Sequence, residues 1–247
     1  MAKVKDIRVD TNSGSNYFTS PILQIRVGQE DSDQETFAVH EDLICLRSAF
    51  FKNAMNGSWI ESARRLITLP EDNPHTFELY LNIIYNGCLP VIDECPKVGQ
   101  FETLTTLYVL AEKLMDRETK NLVVQAMIAR RNETFIPKPD CIRYLYENTP
   151  ENNLGRKLFV DFIFRDLAKR CISVTEVKAW RRDMPVDFLF DFGLRMMEIH
   201  CQTRSPAFAF DDPTEYLEQD EQETSNSEGK NTKEEEEEKE EGEAMKE

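Results

Sequence analysis

FAVHEDLICLRSAFFKNAMNGSWIESARRLITLPEDNPHTFELYLNIIYNG, residues 37–87, is the stretch whose reading decides the fold. The run TFAVH at 36–40 is rich in β-forming residues and predicts a strand. Leu43, Ile44 and Leu46 then predict a short helix packed beneath it. Ser48 can cap a helix over 49–55, whose apolar surface is Phe50, Phe51 and Met55. Asn56-Gly57 stops that helix, Trp59-Ile60-Glu61-Ser62 is a loop, and LITL at 66–69 is a third strand. Asn73-Pro74 pairs a good cap with proline at the first helical position. Phe77, Tyr80, Leu81, Ile84 and Tyr85 recur at helical spacing, and Leu79 and Ile83 add a second stripe. That helix is expected to be buried on more than one side, and Asn86-Gly87 closes it. The core expected from the stretch is Val39, Leu43, Phe50, Ile67, Phe77 and Leu81.

Upstream, ILQIRV at 22–27 ends at Gly28 and predicts the strand that pairs with 36–40 across a polar turn. Residues 1–19 are rich in Ser, Asn and Thr and read as a flexible arm, in which Ile7-Arg8-Val9 could add an edge strand. Downstream, a proline-containing connection over 88–100 leads to a helix at 101–115 and a paired helix at 120–131. Pro137-Lys138-Pro139 opens a second helical region: a short helix at 141–146, a phenylalanine-rich one at 155–171, a capping box at 173–176, and a last helix at 185–200. In the last helix Leu189, Phe192, Met196 and Ile199 form the expected inward stripe. Phe159, Phe162, Phe164, Phe188, Phe190 and Phe192 read as helical core, with a groove for a partner peptide as the other reading.

Charge divides the chain. From Asp211 onward there are 17 acidic and 4 basic residues, a net of −13 out of −16, which leaves the body near neutral. Residues 211–247 lack apolar periodicity, cannot bury enough surface to offset the entropy of ordering, and read as a disordered acidic tail. This polarity disfavours binding to DNA or RNA. The six cysteines form no C-x-x-C pair and, with no signal peptide legible, read as reduced thiols in a cytoplasmic or nuclear protein. No run of about 18 apolar residues occurs, so no membrane span is expected.

The order of motifs resembles a BTB/POZ domain, in wording most like the fungal members. That family shows a strand ending in F-x-V-H, then a leucine, then a serine followed by paired aromatics. Here these are Phe37, Val39, His40, Leu43, Ser48, Phe50 and Phe51. It continues with F/W-x-E-S, an I-x-L strand, L-x-E-D-x-P, and an apolar helix ending in Y-x-G. Here these are Trp59, Glu61 and Ser62; Ile67 and Leu69; Glu71, Asp72 and Pro74; and, after Phe77, Tyr85 and Gly87. The resemblance covers about residues 20–132. It implies an α+β fold, a small β-sheet flanked by a helical cluster, followed by an all-α extension over 134–210.

The family implies a non-enzymatic adaptor that presents surfaces to proteins, commonly as a homodimer and commonly to the cullin scaffolds of ubiquitin ligases. In cullin-binding members a loop at this point carries a hydrophobic residue, any residue, then glutamate. Trp59, Ile60 and Glu61 match that pattern, and a large aromatic on a loop is a typical interface anchor. The other reading packs Trp59 on its own domain. The two functional readings are a substrate adaptor for a cullin ligase and an oligomerising scaffold in signalling or chromatin. Many members carry Ser-Asp before the first strand and a basic residue after the F-x-V-H histidine. Here Ser20-Pro21 and Glu41 stand there, which puts the co-repressor groove of the family in doubt.

No catalytic, cofactor or metal constellation is legible. His40 reads as structural, His75 as surface, and adjacent His200 and Cys201 are poor metal geometry without further ligands. G-x-S-x-G, Walker, H-E-x-x-H and G-x-G-x-x-G patterns are absent.

Overall fold

A computed structural model of the protein describes residues 16–30, 33–56, 64–91, 100–132, 137–169, 178, 182–201 and 213–218. Three strands form one mixed sheet: β1 (Ile22–Val27), β2 (Glu35–His40) and β3 (Leu66–Leu69), in the order β2-β1-β3. β1 and β2 make the expected antiparallel hairpin, with Ile22 opposite His40 and Val27 opposite Glu35. β3 lies parallel to β1, with Gln24 opposite Leu66 and Val27 opposite Leu69. A parallel neighbour needs a crossover, and α1 (Glu41–Arg47) and α2 (Ala49–Met55) lie within it. Leu23, Ile25 and Val27 alternate inward from β1 and are fully buried.

The helix ends follow local chemistry. Ser48 accepts the Phe51 N–H at 3.2 Å and so caps α2. Asn73 accepts the Thr76 N–H at 3.1 Å and caps α3 (Pro74–Asn86), with Pro74 in its first turn. Gly87 ends α3 in the left-handed conformation, φ 62°.

Three inward faces differ from the sequence expectation. In α1, Leu43 and Ile44 are buried while Leu46 points out, 81% exposed. In α2, Phe51 takes the buried position and Phe50 stays half-buried against it, ring to ring at 5.2 Å. In α3, Phe77, Tyr80, Leu79, Ile83 and Ile84 share the buried arc, which leaves Leu81 at its rim. At 100° per residue Leu81 falls beside Tyr85 and away from Tyr80.

α4 (Gln100–Lys113) and α5 (Arg117–Asn132) pair, and α6 (Pro139–Glu147), α7 (Leu154–Lys169) and α8 (Val186–Cys201) build on them. One hydrophobic cluster runs from Leu23 through Tyr108 to Phe192. The joint between α4 and α7 is close: a Cβ on Gly155 would stand 2.7 Å from the Tyr108 ring. Tyr108 donates its hydroxyl to Asn153 at 2.9 Å and accepts the Gly155 N–H at 3.2 Å.

In α8 Phe192 is buried and Leu189 packs partly buried on the core, as expected, with Phe188 fully buried beside them; Met196, expected inward, is 52% exposed and Phe190 66%. Hydrogen bonds from Tyr146 to Asp191 (2.8 Å) and from Arg195 to Asp161 (2.7 Å) fix that rotation. The side chain of Ile199, the capping box at 173–176 and the strand considered at Ile7-Arg8-Val9 lie outside the described residues.

The acidic segment begins with structure. Residues 213–218, placed by the sequence reading in the disordered tail, hold a 3-10 turn (Pro213–Tyr216) on α5 and α7. Tyr216 is buried and donates to Asp161 at 2.9 Å. Lys120 binds Glu218, and Glu218 and Asn121 exchange two hydrogen bonds of 3.0 and 3.2 Å. Those partners lie far away in sequence, so composition alone hides this contact.

Candidate protein interface

Trp59, Ile60 and Glu61 lie in residues 57–63, outside the described residues; the fold positions the two ends of that segment. On the upstream side, α2 ends at Met55 with Asn56 donating its N–H to Lys52. The start of α2 is pinned to the end of α4: the buried Ser48 hydroxyl donates to the Leu114 carbonyl at 2.5 Å. Arg47 reaches Thr119 at 3.1 Å, Glu118 at 3.1 Å and Asp116 at 3.5 Å. Asp116 is fully buried and also accepts the Thr119 N–H at 2.9 Å, which caps α5. A buried carboxylate is tolerable there because a cation and hydrogen-bond donors surround it.

On the downstream side, Arg65 sits at φ 49°, a left-handed conformation uncommon outside glycine. Its carbonyl accepts the Gln24 N–H at 2.9 Å and its guanidinium binds Glu41. The segment therefore leaves from and returns to held backbone.

The motif residues are spread through one packed unit. Val39, Leu43, Ser48, Phe51, Ile67, Leu69 and Phe77 are buried. Phe37 and Phe50 pack partly buried on that cluster. His40 is tied to Tyr85: the Tyr85 hydroxyl accepts the His40 backbone N–H at 3.0 Å and lies 2.9 Å from Nδ1. Tyr17 packs on both rings, at 5.8 Å from His40 and 6.3 Å from Tyr85. His40 thus joins β2 to α3 and to the turn at Asn16–Thr19.

The two positions that depart from the family pattern meet. The Pro21 carbonyl accepts the Glu41 N–H at 2.9 Å, and Glu41 pairs with Arg65. The region carries no free carboxylate at 21, and Glu41 is engaged by Arg65.

Two surface features were not expected from the sequence, which placed Leu46 inward and passed over Phe18 and the cleft. Phe18 is 73% exposed and Leu46 81%, on elements that pack together, the turn before β1 and α1. An open cleft of about 340 Å³ lies between α7 and α8. Its charged walls already serve one another: Asp161 accepts from Arg195 and Tyr216, and Arg156 donates to Tyr146 and Thr149 carbonyls.

Among the described residues no group of His, Cys, Asp and Glu is placed to hold a metal ion. No helix among them is long and apolar enough to cross a membrane. Cys45, Cys88 and Cys141 are free thiols. Burial, aided by Glu41 and Asp42, pushes the Cys45 thiol up to about 11.

Residues 24–128 match the family model of the BTB/POZ domain. No curated protein matches the chain. Among solved structures, the chain is similar to the BTB (Tramtrack and Bric a brac) domain of human Gigaxonin. The identity is 16% and the TM-score 0.32, over 42% of this chain and 74% of that one. It is also similar to the BTB domain of zebrafish PATZ1, at 16% identity and a TM-score of 0.30, over 42% of this chain and 73% of that one.

Proposed function

We propose that this chain, whose residues 24–128 match the BTB/POZ family model, is a non-enzymatic adaptor that brings a client protein to a cullin-based ubiquitin ligase. The observation that carries this reading is the pair of held ends around residues 57–63. Ser48 and Arg47 lock α2 to α4 and α5, and Arg65 locks the return to β1 and α1. Held ends lower the entropic cost of ordering residues 57–63 on a partner, and in this reading Trp59, Ile60 and Glu61 make that contact. In this scheme Trp59 enters an apolar pocket of the cullin and Glu61 adds a polar contact. The helices α6 to α8 hold the client, and the complex works in the cytoplasm or nucleus.

The test is co-purification from cells. Trp59→Ala with Glu61→Ala abolishes cullin retention and leaves the melting temperature nearly unchanged. Cullin retention at the unmutated level, or none by the unmutated protein, rejects the scheme.

A second reading, an oligomerising scaffold without a ligase, is favoured by Phe18 and Leu46, two large apolar side chains in water on adjoining elements. Phe18→Glu with Leu46→Glu would then lower the mass measured by light scattering, with cullin retention absent throughout.

A further inference from the structure

The helix α8 is apolar on two opposite sides. Phe188 and Phe192 fill the core, with Phe192 6.0 Å from the Phe164 ring and Phe188 5.7 Å from Tyr146. On the outward side Val186 is 80% exposed, Phe190 66%, Leu194 45% and Met197 67%. A helix of a lone monomer turns its polar residues outward. Here the outward side holds a stripe of large apolar residues.

Gly193 lies in the middle of that stripe. A Cβ added there would meet nothing within 4 Å, so the fold of one chain gives no packing reason for a glycine. Glycine inside a helix weakens it relative to alanine. Val186, Phe190, Gly193 and Met197 are spaced by four, three and four residues, the seam of two helices packed lengthwise.

The seam is complementary to itself. Phe190 and Gly193 are equally far from the midpoint between Asp191 and Phe192, and so are Val186 and Met197. A two-fold axis through that midpoint, with the helices antiparallel, sets each Phe190 over Gly193 of the second copy. It also sets each Val186 beside Met197 of the second copy. In an isologous contact every such pairing occurs twice.

We propose that the outward face of α8 is a self-association surface, occupied by α8 of a second copy in this antiparallel register. The four exposed side chains offer roughly 500 Å² per copy, or about 1,000 Å² in total, which sits at the threshold of a specific interface. The contact is therefore weak and concentration-dependent. It is separate from Phe18 and Leu46 and from residues 57–63, and it stands whether or not a cullin binds.

The test is light scattering of the full chain across a concentration series. The mass of the native protein rises with concentration. Phe190→Gly removes the knob and Gly193→Phe fills the notch, and each alone abolishes the rise. The exchanged variant, Phe190→Gly with Gly193→Phe, returns knob to notch across the axis and restores it. The Cβ of Gly193→Phe meets nothing within 4 Å in the monomer, and an unchanged far-ultraviolet spectrum and melting curve at low concentration separate lost association from lost folding. A concentration-independent mass of the native protein overturns the proposal. So does a rise unaffected by Gly193→Phe, or one that the exchanged variant fails to restore.

Discussion

The Tyr85 hydroxyl holds His40 at two points, accepting its backbone N–H at 3.0 Å and lying 2.9 Å from its Nδ1. Because the oxygen accepts from the main chain, its own proton is available to the imidazole. The last residue of β2 and the last turn of α3 are joined by this one group. Tyr85→Phe leaves the backbone N–H of a half-buried strand end without its acceptor, at a cost of about 1–3 kcal/mol. Urea unfolding at neutral pH measures it, and an unchanged midpoint would show that water replaces the hydroxyl.

Gly87 supplies the left-handed turn that closes α3, and a Cβ there would touch nothing within 4 Å. Gly87→Ala therefore carries only the backbone penalty of φ 62°, about 1–2 kcal/mol, with no steric clash added. Gly155→Ala is different in kind, because its Cβ would stand 2.7 Å from the Tyr108 ring. Its destabilisation should exceed that of Gly87→Ala in the same thermal melt.

Much of the sheet and its caps was legible because the signals are local. Ser48, Asn73 and Gly87 act on backbone groups within four residues, so their chemistry can be read from neighbours. The rotation of each helix was less legible. Leu46, Leu81 and Phe190 satisfy helical periodicity as well as Leu43, Tyr80 and Phe188 do, and only the packing partner decides which faces inward. For α8 that partner is polar as well as apolar, through Tyr146 to Asp191 and Arg195 to Asp161. The parallel placement of β3 depends on a crossover, which no local pattern encodes. Of the candidate site, its motif frame was legible, whereas Trp59, Ile60 and Glu61 fall outside the described residues.

Tyr216 and Glu218 fasten the start of the acidic segment to the folded body. A chain ending at residue 218 should melt with the full chain, and one ending at 212 should melt lower. Tyr216→Ala empties a buried aromatic site, which costs about 3 kcal/mol or more. If the three shortened or substituted chains melt together with the native one, the turn at Pro213–Tyr216 contributes nothing to the fold.

Alkaline pH should weaken the fold through buried acids that must lose a proton. Burial raises the Tyr80 and Tyr108 phenols well above their ordinary 10.0, helped by the charges of Asp116 beside Tyr80 and Glu112 beside Tyr108. The Cys45 thiol rises from 9.0 to about 11 by the same leading cause. In each case the unfolded chain gives up its proton at a lower pH than the folded one. Stability is therefore complete below about 9, begins to fall as Cys45 would ionise in the unfolded state, and falls more steeply above 10 as the phenols follow. Tyr80→Phe keeps the ring and removes one of the ionising groups. Its unfolding midpoint should decline less between pH 8 and pH 10.5 than that of the native chain. Parallel declines would mean that Tyr80 keeps an ordinary phenol in the fold, against its burial beside Asp116.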